Sequence, residues 1–392
     1  MRKAIFSLLI VVSVVFVLSS CTAPEPATTP SEPATTPSEP TTPEEPELAG
    51  WGPLQGLAVK PDGSSYHFAL VPPWMGDDFQ LCATMYGESL IARAGGTVTS
   101  YEVTFDMERQ VQVMENLIVT KPDGVLITPV DTGGLAPVID QATDSGLPVF
   151  IWDVPVESES PVSGVWFDNE QMGQVCGEWM VAEAERLGVE LHVYELWGHL
   201  GQANSTGRHD GFNQAVAQSD LVTVLESPDN TWMPEHAMQN VLDSFPTHPE
   251  LNALYDHGAM VPGALEALRT MGRLHPVGDP NHVVYASIAD FPSACDNIRD
   301  GYLDGLGSDS PWEMTDTGIK SMLTYVCTGQ SVPKLVVIPS FFVDLEKVGQ
   351  GRWGASMVWG DMLTNVPNAD DWPILDNPFI ETPTRDMKLS GY

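Results

Sequence analysis

From residue 66 onward the apolar positions alternate between two rhythms. His67–Val71, Gly124–Thr128 and Pro148–Trp152 are short apolar runs rich in β-branched and aromatic side chains, the pattern of strands covered on both faces; Thr97–Val103 predicts another strand. Between them, Asp78–Ala94, Asp106–Thr120 and Gly134–Ser145 repeat apolar residues every three or four positions and predict helices. The rhythm resumes with strands at Leu191–Leu196, Leu221–Ser227, Ala253–Tyr255 and Val283–Ile288, interleaved with helices at Gly207–Ala217, Met233–Phe245 and Pro262–Met271. Alternation of this kind implies an α/β fold of parallel sheets under helices. Two such units in succession predict two Rossmann-like lobes, with ligands at the carboxyl ends of the strands and the crevice between the lobes as the site.

Residues 1–49 break the rhythm. Arg2-Lys3, an apolar run from Ala4 to Leu18 and small residues before Cys21 describe an export signal over 1–21, too short for the roughly 20 residues of a spanning helix. Leu18-Ser-Ser-Cys21 resembles the lipobox of bacterial lipoproteins. That resemblance implies lipidation at Cys21 and an extracytoplasmic protein anchored to the membrane of the cell envelope. Residues 22–49 hold eight prolines and six glutamates and write Ala-Thr-Thr-Pro-Ser-Glu-Pro twice, at Ala27–Pro33 and Ala34–Pro40. Such a segment has no apolar surface to bury and is expected to be an extended, disordered tether. At the other end, 351–392 carries Trp353, Trp359 and Trp372, and an extension so aromatic is expected to pack on the body.

Composition narrows the chemistry. The 392 residues are 43% hydrophobic, enough for two or three cores, and carry 53 acidic against 17 basic side chains. Without the signal and tether the balance is 47 to 15, so the acidity belongs to the fold. Nucleic acid and anionic membrane surfaces would meet long-range repulsion; an uncharged or cationic small partner fits better. Cys82, Cys176, Cys295 and Cys327 are compatible with disulfides or with buried thiols. No CxxC pair, close His/Cys cluster, P-loop or GxSxG elbow is present, so neither a metal nor a cofactor is expected.

Several polar and aromatic residues stand where strands end: Trp74, Asp78 and Phe79; Trp152-Asp153; Trp166 to Asn169; Trp197 and Arg208 around a glycine; Asp229 to Trp232; then His257, Asp290 and Asp309. Planar bidentate groups beside aromatic rings suit a sugar, which offers hydroxyls and an apolar ring face. Each has a plainer reading: Asp168-Asn169 as a helix cap, Arg208 as a surface ion pair, Trp232 as core, and one of Trp74 and Phe79 as lobe-interface packing.

Val71-Pro-Pro-Trp-Met-Gly-Asp-Asp-Phe79, Phe167-Asp168-Asn169, Arg208-His-Asp-Gly-Phe212 and His248-Pro-Glu-Leu-Asn-Ala-Leu-Tyr-Asp-His257 together resemble the type I periplasmic sugar-binding proteins of bacterial ABC importers, typified by the ribose-binding protein. The resemblance covers roughly Tyr66 to Leu345. It implies two lobes joined by a three-crossing hinge, with crossings near Val181–Glu183, Asp309 and Lys334. Lobe 1 is then expected over 60–182 and 310–334, lobe 2 over 183–309 and 335–350. It also implies a monomeric, non-enzymatic protein that binds a monosaccharide or polyol and delivers it to ABC permease subunits in the membrane. The implied ligand residues are Trp74, Asp78, Phe79, Asp153, Asp168, Asn169, Arg208, Trp232, His257, Asp290 and Asp309. Where the ribose-binding protein has an Asp-Arg pair this chain has Asp153-Val154, and with that cation missing and tryptophans more numerous a larger, more aromatic pocket than a pentose site is expected. A sensor of the same fold, a binder of nucleosides or furanose signals, and a secreted carbohydrate-active enzyme with paired carboxylates are the alternatives.

Overall fold

The computed structural model describes residues 55–76, 78–288 and 292–348. The signal, the tether, Asp290 and the 351–392 extension lie outside them, as does the side chain of Asp78.

The chain builds two sheets of six strands each. The first takes β1 (His67–Val71), β2 (Thr97–Ser100), β3 (Gly124–Ile127), β4 (Val149–Trp152) and β5 (Ser163–Phe167), with α1 (Asp78–Arg93), α2 (Met107–Thr120) and α3 (Ala136–Asp144) as crossovers. After β5 the chain leaves this lobe. α4 (Asn169–Leu187) opens the second, followed by β6 (Leu191–Leu196), α5 (Ala203–Val216), β7 (Val222–Glu226), α6 (Pro234–Thr247), β8 (Ala253–Asp256), α7 (Val261–Thr270), β9 (Val284–Ile288), α8 (Pro292–Asp300) and β10 (Gly305–Gly307). It then returns through α9 (Pro311–Leu323) and β11 (Leu335–Ile338) to the first sheet, and crosses once more to β12 (Phe342–Asp344) on the second.

The strand orders, β11-β5-β4-β3-β1-β2 and β12-β10-β9-β8-β6-β7, are the same doubly wound plan twice. All pairings in the first are parallel; in the second only β12 runs antiparallel, to β10. Strands with helices on both sides must be apolar on both faces, and β3, β4, β5, β8 and β9 are buried along their whole length. In each sheet the order reverses beside the first strand, β1 or β6, which places a crevice at its carboxyl end.

Two of the three hinge crossings, the first and the third, differ from expectation. The crossings lie at Asp168–Asn169, at 308–310 and at 339–341. Val181–Glu183 sits inside the continuous helix α4, which ends only at Gly188, in the left-handed region at φ 68°. Lys334 precedes β11, whose Leu335–Ile338 pair with Gly164–Phe167 and so belong to the first lobe. Residues 169–182 therefore belong to the second lobe and 335–338 to the first. α4 packs on the second lobe through α5 at backbone distance: a Cβ on Gly173 or Gly211 would run into the carbonyl of Arg208 or of Glu170. Phe212 stacks on Tyr255 at 3.8 Å, and the Tyr255 hydroxyl donates to the Arg208 carbonyl (3.0 Å), which fixes the helix that carries Arg208.

Among the described residues Cys176 and Cys327 are free thiols, and Cys82, Cys176 and Cys295 are buried. Burial raises the Cys176 thiol far above its ordinary range. No helix among the described residues is long and apolar enough to cross a membrane.

Candidate functional site

A cleft of about 580 Å³, its open mouth included, runs between the carboxyl ends of the two sheets. From the first lobe come Pro73 after β1, Phe105 after β2, Thr128-Pro129 after β3 and Asp153-Val154 after β4; the first turn of α1 adds Phe79 and Gln80. From the second come Gln202, Asn204 and Arg208 at and inside the start of α5, Trp232 after β7, Gly258-Ala259 after β8, and Asp309 after β10. Phe105, Asp153, Trp232 and Ala259 all hold positive φ (55°, 66°, 59° and 62°), a conformation costly for residues with a Cβ. Four of the seven non-glycine residues with positive φ among the described residues thus line the cleft.

Arg208, 5% exposed, is the one cation among the described residues that line the cleft. Its Nη2 donates to Asp309 Oδ2 at 2.9 Å, its Nε to Asn169 Oδ1 at 2.8 Å and its Nη1 to the His257 carbonyl. Trp232 lies over the guanidinium at 5.6 Å and donates its indole N–H to Gln202 Oε1 at 2.7 Å. Gly198 makes room for that ring, since a Cβ there would collide with it. Opposite, Asp153 accepts from Gln80 Nε2 (2.6 Å) and, across the cleft, from Asn204 Nδ2 (3.2 Å). Burial, then repulsion from Asp309, pushes the Asp153 carboxyl up to about 6, partly offset by Arg208 and the two amide donors. Asp309 is likewise raised by burial, against the pull of Arg208. The buried Thr128 hydroxyl on the same wall has no hydrogen-bond partner among the described residues. Among the described residues the cleft therefore offers acceptors, donors and aromatic faces, with one cation against two carboxylates.

Of the residues singled out from sequence, Phe79, Asp153, Arg208, Trp232 and Asp309 meet in this cleft. Four others stand off it. Trp74 packs beside the cleft against Phe105, at 5.8 Å. Asp168 caps α4, accepting from the Gln171 N–H at 3.0 Å, and Asn169 stands behind Arg208. His257 turns its ring into the second lobe: burial lowers its pKa and keeps it neutral, Nε2 donates to Glu195 (2.8 Å), and Nδ1 accepts from the Gly198 N–H (3.3 Å). Burial raises the Glu195 carboxyl, but hydrogen bonds from His209 and His257 outweigh it and hold the group down at about 2. Asp78 opens α1 with its side chain outside the described residues, and Asp290 lies outside them altogether. Gln80, Asn204 and Phe105 were not singled out. Gln80 directly follows Phe79, and Asn204 lies in the first turn of a helix whose sequence pattern only becomes clear at Gly207.

Residues 68–331 match the model of a protein family described as periplasmic binding protein domain. Among curated proteins, the galactofuranose-binding protein YtfQ of Escherichia coli is 25% identical over 201 residues, 50% of this chain and 61% of that protein. The ribose import binding protein RbsB of Bacillus subtilis is 29% identical over 202 residues, 50% and 64% of the two chains. The match thus spans less than two thirds of the length of these relatives. Among solved structures, a galactofuranose binding protein superposes with a TM-score of 0.69 at 21% identity, covering 76% of this chain and 99% of that one. An ABC transporter solute binding protein from Bacillus halodurans with bound myo-inositol gives 0.67 at 20%, covering 76% and 100%. These likenesses show the two-lobed α/β fold.

Proposed function

The chain belongs to the periplasmic binding protein domain family, and on that premise we propose that it is an extracytoplasmic solute-binding protein that captures a sugar or related polyol between its lobes. One observation carries the reading. Asp153 and Phe79 on one wall face Arg208, Asp309 and Trp232 on the other, a set of acceptors, donors and ring faces that matches a polyhydroxylated ring. The galactofuranose, ribose and myo-inositol named for its relatives and structural neighbours point the same way. A ligand held by both walls favours the closed form through its greater affinity for it, so the protein acts by binding and closure rather than turnover.

In this reading the closed, loaded monomer is presented to an ABC permease. Leu18-Ser-Ser-Cys21 and the proline-rich segment behind it support a lipid anchor on Cys21 with a tether to the body. Cys21→Ser is expected to shift the protein from the detergent phase to the aqueous phase of a cell extract. Recovery of both forms in the same phase would overturn the anchor.

The binding test is thermal unfolding against pentoses, hexoses, polyols, disaccharides and nucleosides. At a hundred times its dissociation constant a ligand stabilises the native state by about 2.7 kcal/mol. A rise in Tm with one sugar or polyol class is expected. A rise with nucleosides alone, or with no compound, would overturn the sugar assignment.

A further inference from the structure

Arg208 touches the hinge as well as the cleft. Its Nε donates to Asn169 Oδ1, at the first crossing, and its Nη2 to Asp309 Oδ2, in the middle of the second. Its Nη1 is held by the carbonyl of His257 at the end of β8, and its own carbonyl accepts from Tyr255, so the guanidinium is referred to a rigid sheet. The third crossing joins the same circuit without touching Arg208. The Ser340 hydroxyl donates to the Ser308 carbonyl (2.8 Å), and its N–H to Gln171 Oε1 (2.9 Å) in the first turn of α4. The other end of the Asn169 amide donates to Asn204 Oδ1 (3.3 Å), and Asn204 in turn donates across the cleft to Asp153. A continuous run of hydrogen bonds therefore links the cleft-spanning contact of Asp153, through Asn169 and Arg208, to the second crossing.

We infer that Arg208 is a hinge-positioning residue, a clamp that fixes the spacing of the first two crossings and thereby sets the closed arrangement of the lobes. This role is separate from any hydrogen bond it gives a ligand, although its meaning for transport rests on the binding function proposed above. Only a planar fork serves: the guanidinium reaches three acceptors in fixed directions, whereas a lysine ammonium presents one point charge. The two faces of the arrangement are coupled, because a ligand that draws on the remaining guanidinium N–H groups shifts the same plane that spaces the crossings.

Amide hydrogen exchange on the ligand-free full chain tests the clamp, independently of which sugar binds. Three amides report on the crossings: Asp168 N–H, bonded to the Ile338 carbonyl; Ser308 N–H, bonded to the Phe341 carbonyl; and Ser340 N–H. The key variant is Asn169→Ala, because Asn169 stands off the cleft wall and its hydrogen bonds to Phe167, Asn204 and Arg208 reach neither Ser308 nor Ser340. Losing an acceptor of a charged donor is expected to speed exchange at Ser308 and Ser340 on the order of ten-fold, with Leu254 in β8 unchanged. Arg208→Lys is expected to do the same, and Asn169→Asp, which keeps the acceptor for Nε, to restore slow exchange at Ser308. Faster exchange confined to residues 167–172, or spread uniformly to Leu254, would overturn the clamp. Failure of every sugar to bind would count against the proposed function and leave this result standing.

Discussion

Asp153→Asn should make the protein more stable at neutral pH while removing the pH dependence that Asp153 imposes. The carboxyl titrates at about 6 when folded, against 3.8 for an ordinary aspartate. Between those values the folded chain holds a proton that the unfolded chain has released, so stability falls as pH rises. The stability this group contributes is present below 3.8 and lost by the time the pH has passed 6. A difference of that size corresponds to roughly 3 kcal/mol. Asparagine removes the ionisation but turns one oxygen into an N–H that faces the donor of Gln80 or Asn204, a pH-independent cost of about 1 kcal/mol. The variant is therefore expected to be about 1 kcal/mol less stable than the parent at pH 4 and about 2 kcal/mol more stable at pH 7.5. Urea unfolding followed by tryptophan fluorescence at four pH values across that range reads the difference directly. A difference that stays constant with pH would refute the reasoning, because it would mean Asp153 titrates as an ordinary surface carboxylate. The gain comes with a loss: sugar binding should weaken by about ten-fold or more, the worth of a charge-assisted hydrogen bond, placing Asp153 among residues kept for function at the expense of stability.

Other outcomes follow from the same contacts. Trp232→Ala removes the ring over Arg208 and the bond to Gln202, and calorimetric titration should show binding weakened at least ten-fold, with Tm changed by only a few degrees. Gly211→Ala puts a methyl against the Glu170 carbonyl where α4 and α5 meet, and should destabilise by about 3 kcal/mol or more in chemical denaturation. In Glu195→Gln the stability lost should be greatest at pH 5–6 and shrink toward pH 8. The elevated pKa of His209, which comes first from its bond to Glu195, stabilises below the unfolded value near 6.5 and ceases to do so as pH rises through the folded one. An effect that grows with pH instead would contradict that pairing.

The fold was readable in the sequence because buried parallel strands leave a signal that few other elements mimic. Runs such as Val149–Trp152 and Ala253–Tyr255 are apolar on both faces and bounded by helices with a different period. The first and third hinge crossings were not readable. Nothing in composition marks Asp168–Asn169 as the place where the chain changes lobes, and α4 runs unbroken through the stretch expected to cross. The site was half legible, since strand ends locate polar residues but do not say which way they face. Asp153 and Arg208 reach the cleft, whereas Asp168 caps a helix and the His257 ring serves Glu195, because an oxygen suited to a sugar hydroxyl suits a backbone N–H equally well. Asn204 escaped notice because glycines and polar residues dilute the apolar period of the first turns of α5.

The central claim is that the cleft holding Asp153, Arg208, Trp232 and Asp309 binds an uncharged polyol. Among the described residues, one cation already engaged by protein acceptors faces two carboxylates there, in a chain of net charge −36. Calorimetric titration of paired ligands tests this most directly, with galactose against galacturonate and ribose against ribose 5-phosphate, alongside myo-inositol, in the parent and in Trp232→Ala. The account predicts saturable binding of at least one uncharged member, weakened by the tryptophan variant, and no binding of its anionic counterpart. Tight binding of an acidic sugar, or sugar binding unaffected by the loss of Trp232, would contradict it.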